Sequence, residues 1–154
     1  MARALIVGCG CLGTELGRAL LSDGWAVRGT SRTQEGAARI DAAEIEGAVA
    51  DPDRVGTVLE HVADVAVVVW ALGAASGPAA GDVNGPRLER ILERLIDTPV
   101  RGFVLDPPDD PQAERMVAAA HETWRIPVRV LSADRSGGEW VAEARTAVSH
   151  VIGA

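Results

Sequence analysis

The chain has 154 residues, of which 47% are hydrophobic and 24% charged, and its formal net charge is −7. Nucleic-acid binding rests mainly on cationic contacts with phosphates, so this charge argues against a nucleic-acid-binding protein. The longest apolar stretch, Val65–Leu72, is far shorter than the roughly 20 residues of a membrane span, and the run Ala4–Val7 is too short for a signal peptide. We therefore expect one cytoplasmic domain, residues 1–154, with its own hydrophobic core.

The composition also limits the chemistry. There is no tyrosine, and all 15 basic residues are arginine, which excludes any mechanism that needs a phenol or an amine from the protein. Cys9 and Cys11 lie one residue apart, a spacing that fits neither a disulfide framework nor a four-ligand zinc site. The histidines fall on separate predicted helices (His61, His121 and His150). We predict no metal site.

The first half of the chain alternates between predicted strands and helices. Ala2–Val7 is a continuous apolar run that ends in glycine, typical of a strand buried on both faces of a parallel sheet. A helix with apolar residues at helical spacing follows (Leu12, Leu16, Ala19 and Leu20). Then come a strand at Trp25–Ser31, an alanine-rich helix at 34–44, a strand at Gly47–Ala50 and a helix with an apolar stripe from Val55 to Val62. We predict that Asp51 or Asp53 caps this last helix, with Pro52 near its first turn.

The second half continues the pattern. Val65–Leu72 is predicted to be the central strand, and 73–85, which lacks periodicity, a loop. Apolar stripes predict helices around 88–96, 116–124 and 140–151, and apolar runs predict strands at Val100–Leu105 and Ile126–Leu131. Six strands, each followed by a helix or turn, imply crossover connections and helices on both faces of the sheet. The predicted fold class is α/β: a three-layer, doubly wound parallel sheet in the order 3-2-1-4-5-6.

A glycine motif sits at the turn between the first strand and the first helix. Residues 8–13, GCGCLG, match the G-x-G-x-x-G pattern in the position where that pattern binds a dinucleotide. Gly8 allows the tight turn, Gly10 lets the backbone approach a pyrophosphate, and Gly13 lets the helix pack against the strand. The free amides around Cys11 and Leu12, at the helix N-terminus, then face the anion. The alternative is a glycine-rich turn without a ligand.

The end of the second strand bears on which dinucleotide is bound. NAD-binding folds place an acid there for the ribose 2′-hydroxyl, but this chain has Ser31 and Arg32. A hydroxyl and a guanidinium both suit a 2′-phosphate. We therefore predict NADP(H) over NAD(H), the alternative being that Arg32 is a solvated strand-end residue. Arg28 is expected to point elsewhere, because side chains alternate along a strand and Arg28 lies on the opposite face from Ser31.

Several reactive side chains have simpler interpretations. We interpret Cys9 and Cys11 as small residues that the loop needs for steric reasons, although a thiol at a helix N-terminus can be reactive. Asp106 ends the fifth strand, where residues face the ligand crevice, but its neighbours are prolines and favour a plain turn. Trp70 is interpreted as a core residue, and the Asp109–Asp110 pair as an acidic turn that starts a helix.

These motifs together resemble the extended and atypical short-chain dehydrogenases/reductases, a group that includes NAD(P)-dependent epimerases and dehydratases. The resemblance covers nearly the whole chain and begins with residues 4–32. It implies that Asp51 contacts the adenine and that the segment Ala71–Ala75, similar to the family's small-residue segment after the fourth strand, lets the cofactor pass, with Ala71, Leu72 and Gly73 binding it. It also matches Asn84 to an asparagine at a helix start.

The catalytic half of the family pattern is absent. The family uses Tyr-x-x-x-Lys with a serine or threonine, whereas this chain lacks both residue types and has Asp106-Pro107 at the serine positions. The substrate-binding C-terminal lobe of the family is expected to be missing too. We predict no catalytic residue of the usual set.

The function expected from the sequence is that of an NADP(H)-binding protein of this type, in which a reductase would act by direct hydride transfer. Two alternatives stay open: a nucleotide-sensing regulatory domain, and a non-catalytic subunit. Besides the dinucleotide, a protein partner or a second copy of the chain is left unspecified, and neither nucleic acid nor membrane is expected.

Overall fold

A computed structural model describes residues 2–75, 80–136 and 138–153. The strands are β1 (Arg3–Val7), β2 (Ala26–Ser31), β3 (Glu46–Val49), β4 (Val67–Trp70), β5 (Gly102–Leu105) and β6 (Val128–Val130). The helices are α1 (Cys11–Ser22), α2 (Gln34–Ala42), α3 (Val55–Leu59), α4 (Ala80–Val83), α5 (Pro86–Leu95), α6 (Gln112–Trp124) and α7 (Glu139–Gly153).

The six strands form one parallel sheet in the order β3-β2-β1-β4-β5-β6, which confirms the predicted topology. The register places the carboxyl ends of the central strands side by side. Val7 pairs with Trp70, and Trp70 pairs with Leu105. The segments that follow β1, β4 and β5 therefore emerge at the same edge of the sheet.

Helices cover both faces of the sheet and enclose two apolar cores. Alternate residues of β1 point to opposite cores, as the period of a strand requires: Ile6 packs with residues of α1, α2 and α7, and Leu5 with residues of α3, α5 and α6. Every residue of β4 and β5 is buried. This two-sided burial explains the continuous apolar runs in the sequence and confirms the three layers.

Two local predictions are wrong. The segment 73–85, predicted as a loop, contains the short helix α4, which has no apolar stripe. The indole Nε1 of Trp70 donates to the carbonyl of Val83 at 3.2 Å and holds this helix in place. Residues 76–79 of the segment lie outside the described residues. Neither Asp51 nor Asp53 caps α3, whose N-cap is Arg54 without a side-chain hydrogen bond. The Asp51 carboxylate accepts from the Asp53 amide at 3.0 Å, a local turn that competes with capping.

Helix α2 ends at Ala42, two residues before the predicted end, because Glu44 adopts φ +69° and so leaves the helical conformation. Within the described part of the chain, no helix combines the length and the apolar character needed to cross a membrane.

Candidate functional site

A cleft of about 870 Å³ lies at the carboxyl ends of the strands. It runs from the segments after β1 and β2 to those after β4 and β5. Nine of the eleven residues predicted for a cofactor site line it: Gly8, Gly10, Cys11, Leu12, Gly13, Ser31, Arg32, Ala71 and Leu72. The other two, Asp51 and Gly73, lie beside it, between neighbours that do line it.

The three glycines of the motif meet three different demands. Gly8 has φ +82°, and a Cβ there would lie 2.9 Å from the carbonyl oxygen of Ala71. A Cβ on Gly13 would lie 3.2 Å from Cγ2 of Ile6, so its absence lets α1 pack closely against β1. Gly10 has no atom within 4 Å of the Cβ position, which faces open space in the cleft. No protein atom fills the space beside Gly10, so a ligand atom can occupy it.

Hydrogen bonds from buried Thr30 and from Thr14 hold this loop in place. The Thr30 hydroxyl accepts from the amide of Gly8 at 3.4 Å, and the Thr30 carbonyl accepts from the amide of Cys9 at 2.9 Å. The Thr14 hydroxyl donates to the carbonyl of Gly10 at 2.8 Å. Sequence reasoning missed the role of Thr30, although its place at the end of β2, next to the loop in the predicted sheet order, is a usable signal.

The N-terminus of α1 is open toward the cleft. Gly10 is the N-cap and supplies no side-chain hydrogen bond, and the first turn contains no acidic residue. The first amides of a helix lack intrahelical acceptors, and the helix dipole adds partial positive charge there. This end of the cleft is suited to an anionic group such as a pyrophosphate.

The two cysteines of the loop differ in exposure. Cys9 is buried, and burial raises the pKa of its thiol to about 11, although its contact with the Thr14 hydroxyl has the opposite effect. A Cβ on Gly29 would lie 2.9 Å from Cβ of Cys9, so the site accepts only a small side chain. This packing supports the steric interpretation of Cys9. Cys11 is exposed, and neither cysteine is in a disulfide.

Arginines gather at the end of the cleft beside β2. Arg18, Arg32 and Arg39 line it, and none of them makes a salt bridge with a described residue. Sequence reasoning found Arg32 but missed Arg18 and Arg39, because their approach depends on how α1 and α2 pack beside the sheet. Three free cations in a chain of net charge −7 make this end attractive to an anion.

Arg28 is engaged elsewhere, as predicted. Its guanidinium donates to the carboxylate of Asp64 at 2.8 and 3.1 Å, to Glu46 and to the carbonyl of His61. These contacts, with Asp64 the strongest, raise the pKa of Arg28 above its usual range. In turn, Arg28 lowers the pKa of Asp64 below its usual range. The cluster lies outside the residues that line the cleft.

The opposite end of the cleft contains an ion pair whose carboxylate is buried. Asp106 is 4% exposed, and both of its carboxylate oxygens accept from Nε of Arg135, at 3.0 and 3.2 Å. The indole Nε1 of Trp140 donates to the same carboxylate at 3.2 Å. Nη2 of Arg135 donates to the carbonyl of Pro107 at 2.7 Å. Asp106 is thus not in a plain turn, which corrects that interpretation. Sequence reasoning did not single out Arg135 or Trp140 as site residues.

The remaining candidates have structural roles. Trp70 is fully buried in the core, as predicted. The Asp110 carboxylate accepts from the amide of Gln112, the first residue of α6, which agrees with an acidic turn at the helix start. Among the described residues, no group of three or more histidine, cysteine, aspartate or glutamate residues is placed to bind a metal.

No protein-family model and no curated protein matches this chain. Several solved structures do. They include a yeast methylglyoxal/isovaleraldehyde reductase complexed with NADPH (TM-score 0.63, 16% identity, 84% of this chain and 53% of that one). A short-chain dehydrogenase/reductase superfamily protein from Agrobacterium tumefaciens with bound NAD matches with a TM-score of 0.66 at 19% identity, over 83% of this chain and 48% of that one. The UDP-glucose 4-epimerase of Thermotoga maritima matches with a TM-score of 0.69 at 14% identity, over 83% of this chain and 54% of that one.

This chain therefore spans about half the length of these three structures. At such low identities the likeness establishes a shared fold. The resemblance that the sequence motifs indicated, to short-chain dehydrogenases/reductases and epimerases, is confirmed at the level of that fold.

Proposed function

We propose that this protein binds NADP(H) in the cleft, as a single NAD(P)-binding domain. The observation that carries the proposal is the geometry at Gly10: open space for a ligand atom, directly before a helix N-terminus without a side-chain cap. A pyrophosphate needs both features, since the backbone must approach it closely and free amides must face it. The solved structures with NADPH and with NAD in the same fold add support.

The preference for the phosphorylated cofactor rests on the charges at the β2 end. Ser31 and Arg32 stand where NAD-binding folds have an acid, and Arg18 and Arg39 line the same end of the cleft. A 2′-phosphate would gain charge-assisted hydrogen bonds there that the ribose hydroxyl of NAD(H) cannot make. Asp51 is proposed for the adenine, and Ala71, Leu72 and Gly73 for the passage of the cofactor toward β5.

The proposed role is recognition of the dinucleotide, without the usual proton-transfer residues. A bound nicotinamide supplies or accepts a hydride, and the protein would hold the ring and the substrate together. Binding without turnover would instead fit the nucleotide-sensing alternative. The sequence is compatible with both, because it contains neither the tyrosine nor the lysine that the family uses for proton transfer.

Fluorescence titration with NADPH and NADH tests the proposal. We expect the dissociation constant for NADPH to be at least tenfold lower than that for NADH. The Gly10→Asp variant should lose binding of both, because its carboxylate would occupy and repel the position of the pyrophosphate.

The matched control is Gly56→Asp. Gly56 also has no atom within 4 Å of its Cβ position, but it lies on α3, away from the cleft. This variant adds the same charge and should bind NADPH like the wild type. Unchanged affinity in Gly10→Asp would place the site elsewhere, and equal affinities of the wild type for NADPH and NADH would contradict the preference for NADP(H).

A further inference from the structure

The ion pair between buried Asp106 and partly exposed Arg135 calls for an explanation beyond stability. Asp106 is the one charged residue among the buried residues of the described chain. Taking a carboxylate out of water costs desolvation even beside a cation, and apolar residues of similar size in place of such a pair are often as stable or more stable. The pair also lies in the cleft, since both residues line it.

The guanidinium of Arg135 has two nitrogens with protein partners and one, Nη1, without a partner among the described residues. Nε is engaged by the Asp106 carboxylate, and Nη2 by the carbonyl of Pro107. Nη1 makes no hydrogen bond with any described residue, and the side chain is 32% exposed. Because arginine has five N–H donors in a rigid plane, fixing one edge also fixes the direction of the others.

The surrounding backbone reinforces this orientation. Asp106 follows β5 directly, and its amide donates to the carbonyl of Trp70 in β4 at 3.0 Å. A Cβ on Gly73 would lie 2.6 Å from the carbonyl oxygens of both Asp106 and Pro107, and it would also clash with Arg135. Only a glycine at position 73 leaves room for the guanidinium where it lies.

The loop that carries Arg135 is anchored from α7. The Glu143 carboxylate accepts hydrogen bonds from the hydroxyl and amide of Ser132 and from the amide of Ala133. Trp140, on the same helix, donates to Asp106. The loop after β6, helix α7 and the end of β5 thus hold one arginine in a single position.

This position lies on the far side of the cleft from the three free arginines. In this fold a dinucleotide crosses the crevice, with its adenosine toward the end of β2 and its pyrophosphate at the start of α1. The proposed cofactor would then extend toward the ends of β4 and β5, where Arg135 lies. The wall there also includes apolar side chains (Leu72, Ala74, Ala75 and Trp140).

We infer that Arg135, oriented by Asp106, binds the carboxylate of a small organic acid with an apolar body, in the part of the cleft beside β5. The inference rests on the proposed function for the place of this site beside the cofactor. Nη1 would donate to the carboxylate, and Asp106 is a positioning residue that does not itself contact the ligand.

The test compares benzoylformate with its methyl ester, which keeps the ketone and the ring but removes the charge. Ligand-observed NMR measures the dissociation constant of each, with no cofactor and with saturating NADP⁺. We expect the acid to bind at least tenfold more tightly than the ester, a difference of about 1.4 kcal/mol. Arg135→Gln should remove that difference, and Asp106→Asn should reduce it severalfold because the guanidinium loses its charged anchor.

Arg101→Gln is the matched control. Arg101 is exposed and precedes β5, at the opposite edge of the sheet from the cleft, so this variant loses the same charge without touching the site. It should keep the full preference for the acid. If circular dichroism shows that Arg135→Gln does not fold, Arg135→Lys replaces it; lysine keeps the charge but lacks the planar fork, and it should lose most of the preference.

Three results would overturn the inference. The wild type could bind the acid and the ester equally, or Arg101→Gln could lose the preference for the acid as fully as Arg135→Gln does. A tenfold weaker affinity of Arg135→Gln for NADP⁺ would instead assign Arg135 to the cofactor. The two proposals fail separately. A preference for the acid that depends on Arg135 in a protein that binds no dinucleotide would support this inference and refute the proposed function.

Discussion

Three glycines predict a graded series of stability changes on substitution by alanine. Gly10 has a negative φ of −88° and no atom within 4 Å of its Cβ position. Gly24 has φ +92° with the same open surroundings, and Gly8 combines φ +82° with close contacts. The series therefore separates the cost of the backbone conformation from the cost of the contacts.

The expected magnitudes follow from these differences. Gly10→Ala should change the free energy of unfolding by less than about 1 kcal/mol, because its φ is negative and no atom crowds its Cβ position. Gly24→Ala should cost about 1–2 kcal/mol for a left-handed residue with a side chain. Gly8→Ala should cost this amount and about 1–3 kcal/mol more for crowding, since its Cβ would lie 2.6 Å from Cδ2 of Leu72 and 2.9 Å from the carbonyl oxygen of Ala71.

Urea unfolding followed by circular dichroism measures the free energy of unfolding of each variant. The titrations are run without dinucleotide, because a bound ligand would add its own stabilisation. For a domain of this size the Gly8→Ala loss corresponds to a fall in Tm of very roughly 5–15 °C. A Gly8→Ala variant no less stable than Gly24→Ala, or a Gly10→Ala variant clearly less stable than the wild type, would refute the reasoning.

Two further predictions concern titratable groups. At pH 8 only one thiol per chain, that of Cys11, should react with Ellman's reagent within minutes. Cys9 is buried, and its pKa of about 11 leaves only about 0.1% of it as thiolate. Cys11→Ser should abolish the fast reaction, and two fast thiols in the native protein would contradict the burial of Cys9. Arg28→Gln should lower the free energy of unfolding by about 1 kcal/mol near pH 6 and by less near pH 3. Arg28 lowers the folded-state pKa of Asp64. The stabilisation is therefore present above the ordinary aspartate pKa and fades as Asp64 is protonated. An equal loss at both pH values in urea titrations would show that Arg28 acts through packing alone.

The sequence predicted the sheet well because the evidence for it is local and repeated. Each strand is a short apolar run between breakers, and the alternation with helices restricts the connections to one handedness. The glycine motif is equally local: residues 8–13 are contiguous, and each glycine has its own steric reason. The errors arose where a local preference met a competing partner. The Asp51 carboxylate binds the amide of Asp53 instead of capping α3, and α4 depends on Trp70, 13 residues away from Val83.

The end of the cleft beside β5 was hidden for a different reason. Asp106 and Arg135 are 29 residues apart, and they meet only because β5 and β6 pair in the observed register, with Val130 opposite Leu105. No motif marks such a pair, and the prolines after Asp106 favoured a turn. A usable signal existed all the same: an acid at the carboxyl end of β5 and an arginine just after β6 stand at adjacent strand ends in the predicted order.

The arginine-only composition acquires a meaning from these positions. The basic residues that line the cleft are Arg18, Arg32, Arg39 and Arg135, three at one end and one at the other. A guanidinium keeps its proton at every physiological pH, so it can bind and orient an anion but cannot pass a proton to it. Lysine in the same places could lose its proton on burial and take part in chemistry. The cleft therefore has side chains suited to binding anionic oxygens at both of its ends. A phosphorylated dinucleotide and a carboxylate lying side by side would place anionic oxygens at those two ends.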